Sequence, residues 1–299
     1  MKGDFQARFR GNVGVKYPGV TRLVAIKKMK KEIKIAIVIL IGFLSFLWLE
    51  KPLREYLFGI LFDEQIAKQI ASTTIRIILI AITFFLINKF RLIAFTGLNY
   101  WQKFKNIQAI IIAFAFTIMG ISVNWNTYIN TEFRVLFLFI ISTLAVGIVE
   151  ELAFRGIIFP LLIKSFTKTK RPILISAVLS SLMFGLVHFI NLFSQPENII
   201  GITSQVFFAT AIGVFFCGLM VRTENILVPC IIHALVNVSF GAGELKQSIE
   251  EFSDVEEVSG INWNSLITTT IFFSFILVGG IYMILKTDKK IILDKLEKE

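Results

Sequence analysis

Histidine and cysteine are nearly absent from this chain: its 299 residues include two of each. The cysteines, Cys217 and Cys230, both lie inside apolar runs, which excludes a disulfide framework, a CxxC redox pair and a thiolate zinc knot. Charged residues make up only 17% of the chain against 55% hydrophobic, with 31 phenylalanines and a mean hydropathy of +0.74. A water-facing surface cannot be built from that composition, so the lipid bilayer is the solvent. In a soluble protein the formal net charge of +10 would suggest nucleic acid. Here the lysines and arginines gather between apolar runs, where they set orientation, and no nucleic-acid partner is expected.

Apolar runs occur at about 35–49, 72–88, 107–122, 135–163, 172–190, 199–221, 226–240 and 265–285, each near the length that crosses roughly 30 Å of hydrocarbon. They predict an all-α, polytopic bundle of about eight membrane helices. The organisation reads as a basic stretch over 1–34, three lead-in helices over 35–132, a core over 133–240, and an outer loop, last helix and basic tail over 241–299. Because 1–34 is too long and no small-x-small site follows the first run, that run is kept as a membrane helix. Ten Lys and Arg precede it and five follow the last run, and the alternation between places both termini in the cytoplasm. The loop with Glu250, Glu251, Asp254, Glu256 and Glu257 then falls outside, and only Lys51, Arg54 and Lys68 run against the trend. A composition rich in Ile, Lys, Asn and Phe points to a bacterial plasma membrane.

The fourth run is longer than one perpendicular span and must tilt or bend, with Pro160 the natural place. At its centre stand Glu150, Glu151 and Arg155. A charged side chain at mid-membrane costs roughly 2.5–3.5 kcal/mol, so these three must be paired or wetted. Glu151 and Arg155 are four apart on one helix face, within ion-pair reach, whereas Glu150 points about 100° away. Glu150 is therefore the carboxylate free to face a cavity, and one so placed suits a general base. A pair that merely glues helices is the plain alternative, but it needs only one glutamate.

Both histidines also fall in apolar runs, His188 in the fifth and His233 in the seventh. Either alone reads as a core residue hydrogen-bonding between helices; two, with none elsewhere, suggest a site. Asn237, four residues after His233, shares its face. Asn191, three past His188, is a weaker candidate. Glu150 with two imidazoles supports two chemistries: a carboxylate that activates water while His233 and Asn237 stabilise the oxyanion, or a zinc ion held by His188 and His233 whose bound water attacks. There is no H-E-x-x-H, so an ordinary zincin site is absent. Ala209 and Gly213 form a small-residue face for helix packing, and Arg76 reads as a snorkelling side chain.

In this order, Glu150-Glu151-Leu152-Ala153-Phe154-Arg155, Phe184-Gly185-Leu186-Val187-His188 and His233-Ala234-Leu235-Val236-Asn237 resemble the three motifs of the CAAX prenyl protease and bacteriocin-processing family of intramembrane proteases. The resemblance covers roughly residues 133 to 240. It implies that Glu150 activates water, Glu151 and Arg155 support it, His188 helps bind water or metal, and His233 with Asn237 stabilises the oxyanion. By the same resemblance the partner is a membrane-associated peptide or protein precursor, and zinc is possible. Two other readings stand beside this one. A non-proteolytic bacteriocin-immunity or scaffold role is also attributed to members of that group. A proton-coupled transporter would use buried Glu and His as a relay, but the chain shows no internal repeat of the kind transporters carry.

Overall fold

The computed structural model describes residues 18–98, 110–193, 195–243, 245 and 263–297. The first 17 residues of the basic stretch and the acidic loop from Glu250 to Glu257 lie outside them. The described chain runs α1 (Pro18–Leu47), α2 (Glu50–Leu61), α3 (Glu64–Lys89), α4 (Ile93–Thr96), α5 (Ile111–Val123), α6 (Trp125–Asn130), α7 (Phe133–Ala153), a π-helical turn (Phe154–Ile158), α8 (Phe159–Phe166), α9 (Pro172–Val187), a 3-10 segment (His188–Phe193), α10 (Ile199–Thr223), α11 (Leu227–Phe240), α12 (Trp263–Leu285) and α13 (Lys289–Glu297). No strand occurs among the described residues.

Among the described residues six stretches are long and apolar enough to span a membrane: Lys31–Leu61, Glu64–Lys89, Phe133–Phe166, Pro172–Phe193, Ile199–Thr223 and Trp263–Leu285. The expected third and seventh helices appear as the shorter apolar Ala113–Val123 and Leu227–Phe240. The second helix begins at Glu64 rather than near residue 72, because Asp63 caps it by accepting from the Ile66 N–H at 2.9 Å. Arg76 on this helix does more than snorkel. It donates to Glu50 at 2.6 Å and so fastens α3 to the start of α2.

The long fourth run is continuous from Phe133 to Phe166. Pro160 brings no N–H to the ladder and crowds the carbonyl four residues back, and the chain answers with the wider π turn just before it, in which the Phe159 N–H reaches the Phe154 carbonyl. Arg155 sits within that turn. From Glu151 to Ile163 every residue is buried, so this segment is the axis around which the other helices pack.

Glycines set how closely they pack. A Cβ on Gly147 of α7 would stand 2.5 Å from the Ala234 backbone nitrogen of α11, one on Gly185 of α9 would meet the Val206 carbonyl of α10 at 2.6 Å, and one on Gly213 would meet Ser181 and the Arg155 guanidinium. Gly213 and the buried Ala209 thus provide the intramolecular packing face expected of them. Replacing Gly147 by Ala should push α11 outward. The helix-propensity gain of about 0.5–1 kcal/mol is small beside an overpacking cost of about 1–3 kcal/mol. Thermal unfolding of Gly147→Ala in detergent should show a lowered midpoint, and an unchanged or raised midpoint would contradict the close approach.

Candidate active site

Arg155 and Glu151 are fully buried, with side-chain exposures of 0% each, and Arg155 Nη1 donates to Glu151 Oε1 at 2.8 Å. This is the four-residue pairing expected from spacing. The guanidinium is also held between two aromatic faces, 4.8 Å from the Phe184 centroid and 5.6 Å from that of Phe216. Contacts of that kind stabilise a desolvated cation by about 2 kcal/mol. Arg155 Nε and Nη2 and Glu151 Oε2 are buried and lack a hydrogen-bond partner among the described residues, so the aromatic rings carry much of the burden of keeping this cation in the apolar interior.

Glu151 has a second partner, on α11. His233 Nδ1 lies 2.8 Å from Glu151 Oε1. A carboxylate only accepts, so His233 donates through Nδ1, and the ring is turned to place Nε2 3.5 Å from Glu150 Oε2. Gly147 allows this by letting the α11 backbone close on α7 at Ala234, the residue next to His233. Glu150 differs from its neighbour as expected. Its side chain is 25% exposed and lines a cavity of about 440 Å³ together with His188, His233 and Asn237.

His188 stands where α9 gives way to the 3-10 segment. Its Nδ1 is 3.2 Å from the Phe184 carbonyl; since a carbonyl accepts, Nδ1 carries the proton and Nε2 is left for the cavity. Phe184 touches the edge of both imidazoles, with centroids 5.4 Å from His188 and 6.0 Å from His233. That one ring, stacked on Arg155 and wedged between the histidines, explains physically why a phenylalanine four residues before the histidine belongs to the site.

All six expected site residues are thus brought together, four on the cavity and two directly beneath it. Asn191 is not on this cavity; its amide donates to Gln205 Oε1 at 3.0 Å. Gln205, which does line the cavity, was missed, although a glutamine in an apolar run is a visible signal. Phe216 was missed with no signal available, since one phenylalanine among 31 does not stand out. As holders of zinc, His188 and His233 lack company: no three His, Cys, Asp or Glu side chains gather in a metal-holding group among the described residues, and both ring nitrogens of His233 face carboxylates.

Residues 132–239 match the family model described as Type II CAAX prenyl endopeptidase Rce1-like. By this match the segment resembles the CAAX protease family. No curated protein and no solved structure matches the chain. The matched segment begins just before α7 and ends within α11, so it contains every residue of the cluster, and the chain as a whole, with its long apolar helices, is a multi-pass membrane protein whose core is similar to that of CAAX-type endopeptidases.

Removing one partner of a buried ion pair leaves an uncompensated charge, at a cost of about 3–5 kcal/mol. Arg155→Met should therefore unfold at markedly lower temperature than wild type. The double variant Arg155→Met with Glu151→Gln, which removes both charges, should recover most of that loss. Equal midpoints for wild type and Arg155→Met would show that the pair is not what holds these helices.

Proposed function

We propose that this protein is an intramembrane endopeptidase in which Glu150 activates a water molecule to hydrolyse a peptide bond of a membrane-associated peptide or protein precursor. The observation that carries the reading is His233 standing between the two glutamates, held by one and turned toward the other at the wall of a cavity. Glu151 fixes the ring through Nδ1, much as an orienting carboxylate fixes the histidine of a hydrolytic triad.

In the reaction Glu150 takes a proton from the attacking water as the hydroxyl oxygen bonds to the scissile carbonyl carbon. Asn237 donates its amide N–H to the oxygen that gains charge, and His233 does the same through Nε2 when the ring carries a proton on both nitrogens. His188 Nε2 accepts from the water and holds it beside Glu150. As the C–N bond breaks, the proton on Glu150 passes to the leaving nitrogen, which restores the carboxylate. Nothing in this sequence uses a metal ion.

General acid–base groups contribute about 10²–10⁴-fold to rate. Purified Glu150→Gln should lose cleavage of a membrane-peptide library by at least that factor while keeping the wild-type unfolding midpoint, because this side chain is the one the packing does not need. In the same preparations, zinc content by elemental analysis should be equal in wild type and in a His188→Ala, His233→Ala double variant. Cleavage unaffected by Glu150→Gln would remove the enzyme reading in favour of a scaffold or immunity role, and stoichiometric zinc lost in the double variant would replace glutamate-activated water with metal chemistry.

A further inference from the structure

The helices that line the cavity meet it on one side of the packed core. Helix α7 contributes Thr143, Val146 and Glu150, all before the point where the chain becomes continuously buried. Helix α9 contributes Phe184 and His188 at its last turn, and α10 contributes Gln205, Phe208, Ala209 and Ile212, all before its continuously buried stretch. Beyond them, Gly213 to Val221 are buried without exception, as are Cys217, Cys230 and the stretch from Phe154 to Ile163. Among the described residues the cavity is therefore closed by packed core on one side and opens toward the end of the bundle where α9 stops and α10 and α12 begin.

The two ends are identifiable by their cross-links and differ in charge. At the closed end the Ile226 N–H donates to the Thr96 carbonyl at 2.9 Å, Lys295 pairs with Glu224 at 2.9 Å, and Arg222 donates to the Lys286 carbonyl at 3.1 Å. That end also carries Lys164 in the last turn of α8, Lys168, Lys170 and Arg171 between α8 and α9, and Lys289 and Lys290 at the start of α13. Helix α1, which enters with Lys31 and Lys34, packs on α8 at the same end. At the open end Arg134 pairs with Asp63 at 3.7 Å, Glu64 begins α3, and Glu132 and Glu197 precede α7 and α10; Lys51, Arg54 and Lys68 also lie here, fewer than the basic residues of the closed end. Lys and Arg concentrate on the cytoplasmic side of a membrane protein.

We infer that the cavity opens away from the cytoplasm, so that the peptide bond cleaved is one presented on the non-cytoplasmic side of the membrane: that of a translocated precursor or an exported, membrane-anchored segment. Phe208, Phe240 and Phe273 line the cavity beside Glu150, which fits a substrate with bulky apolar residues next to the scissile bond. A tail displayed only in the cytoplasm would meet the closed, basic end. The substrate class rests on the proteolytic reading given above, whereas the direction of opening does not.

The two separate experimentally. Val146→Cys and Phe240→Cys, both on the cavity wall, and Lys168→Cys, in the basic connection, are expressed in the full-length chain and treated with a membrane-impermeant maleimide in right-side-out and in inverted vesicles. The native Cys217 and Cys230 are buried, and wild-type vesicles give their background. Val146→Cys or Phe240→Cys should label in right-side-out vesicles and be protected in inverted ones, with Lys168→Cys showing the reverse. Labelling of the wall positions from the cytoplasmic side, or of neither from the outer side, overturns the inference while leaving the Glu150→Gln result to stand or fall alone.

Discussion

The structure turns on one buried contact, Arg155 with Glu151, made four residues apart on a helix that no short shift could bring to water. An ion pair in that position is seldom a net gain in stability by itself, because both ions must leave water. What it supplies here is orientation. The guanidinium neutralises Glu151 and lies between Phe184 and Phe216, which fixes where α9 and α10 stand. Glu151, held on one side by Arg155, presents the same oxygen to His233. The imidazole of α11 is thereby aimed at Glu150, and a second carboxylate that would otherwise be only a cost becomes the one with a chemical use.

The neighbouring geometry follows from this contact and from the backbone around it. Pro160 disturbs the ladder just after Arg155, and the π turn that results lies at the centre of the buried axis. π turns recur at functional sites because they let a helix carry a side chain in an orientation that a regular helix would not. Glycines at positions 147, 185 and 213 let α11, α9 and α10 approach closely, so side chains from four separated segments reach one cavity wall. The core beyond them is closely packed and closes the cavity on that side.

Much of this was legible in the sequence, for an electrostatic reason. Charge in an apolar run is so costly that Glu150, Glu151, Arg155, His188 and His233 stand out, and helical spacing alone distinguishes the two glutamates. Spacing also gives Asn237 the face of His233. Illegible were the relations between helices. That His233 would bridge the glutamates depends on the approach at Gly147, and a depth count of 1.5 Å per residue is too coarse to place it. Phe216 was hidden by the abundance of its kind. Membrane spans were legible in the long runs and less so where an apolar run, such as Leu227–Phe240, is shorter than the bilayer. Arg76 was read as a lone snorkelling residue because its partner, Glu50, is remote in sequence.

The central claim is that Glu151 holds His233 through Nδ1 and so turns Nε2 toward Glu150. With only two histidines in the chain, nitrogen-15 magnetic resonance of histidine-labelled protein in lipid tests it without ambiguity. Both rings should carry a proton on Nδ1, His233 through its bond to Glu151 and His188 through its bond to the Phe184 carbonyl, and Glu151→Leu should perturb the His233 signal while leaving that of His188 in place. A histidine with a bare Nδ1 and its proton on Nε2, or a His233 signal indifferent to Glu151→Leu, would contradict the account.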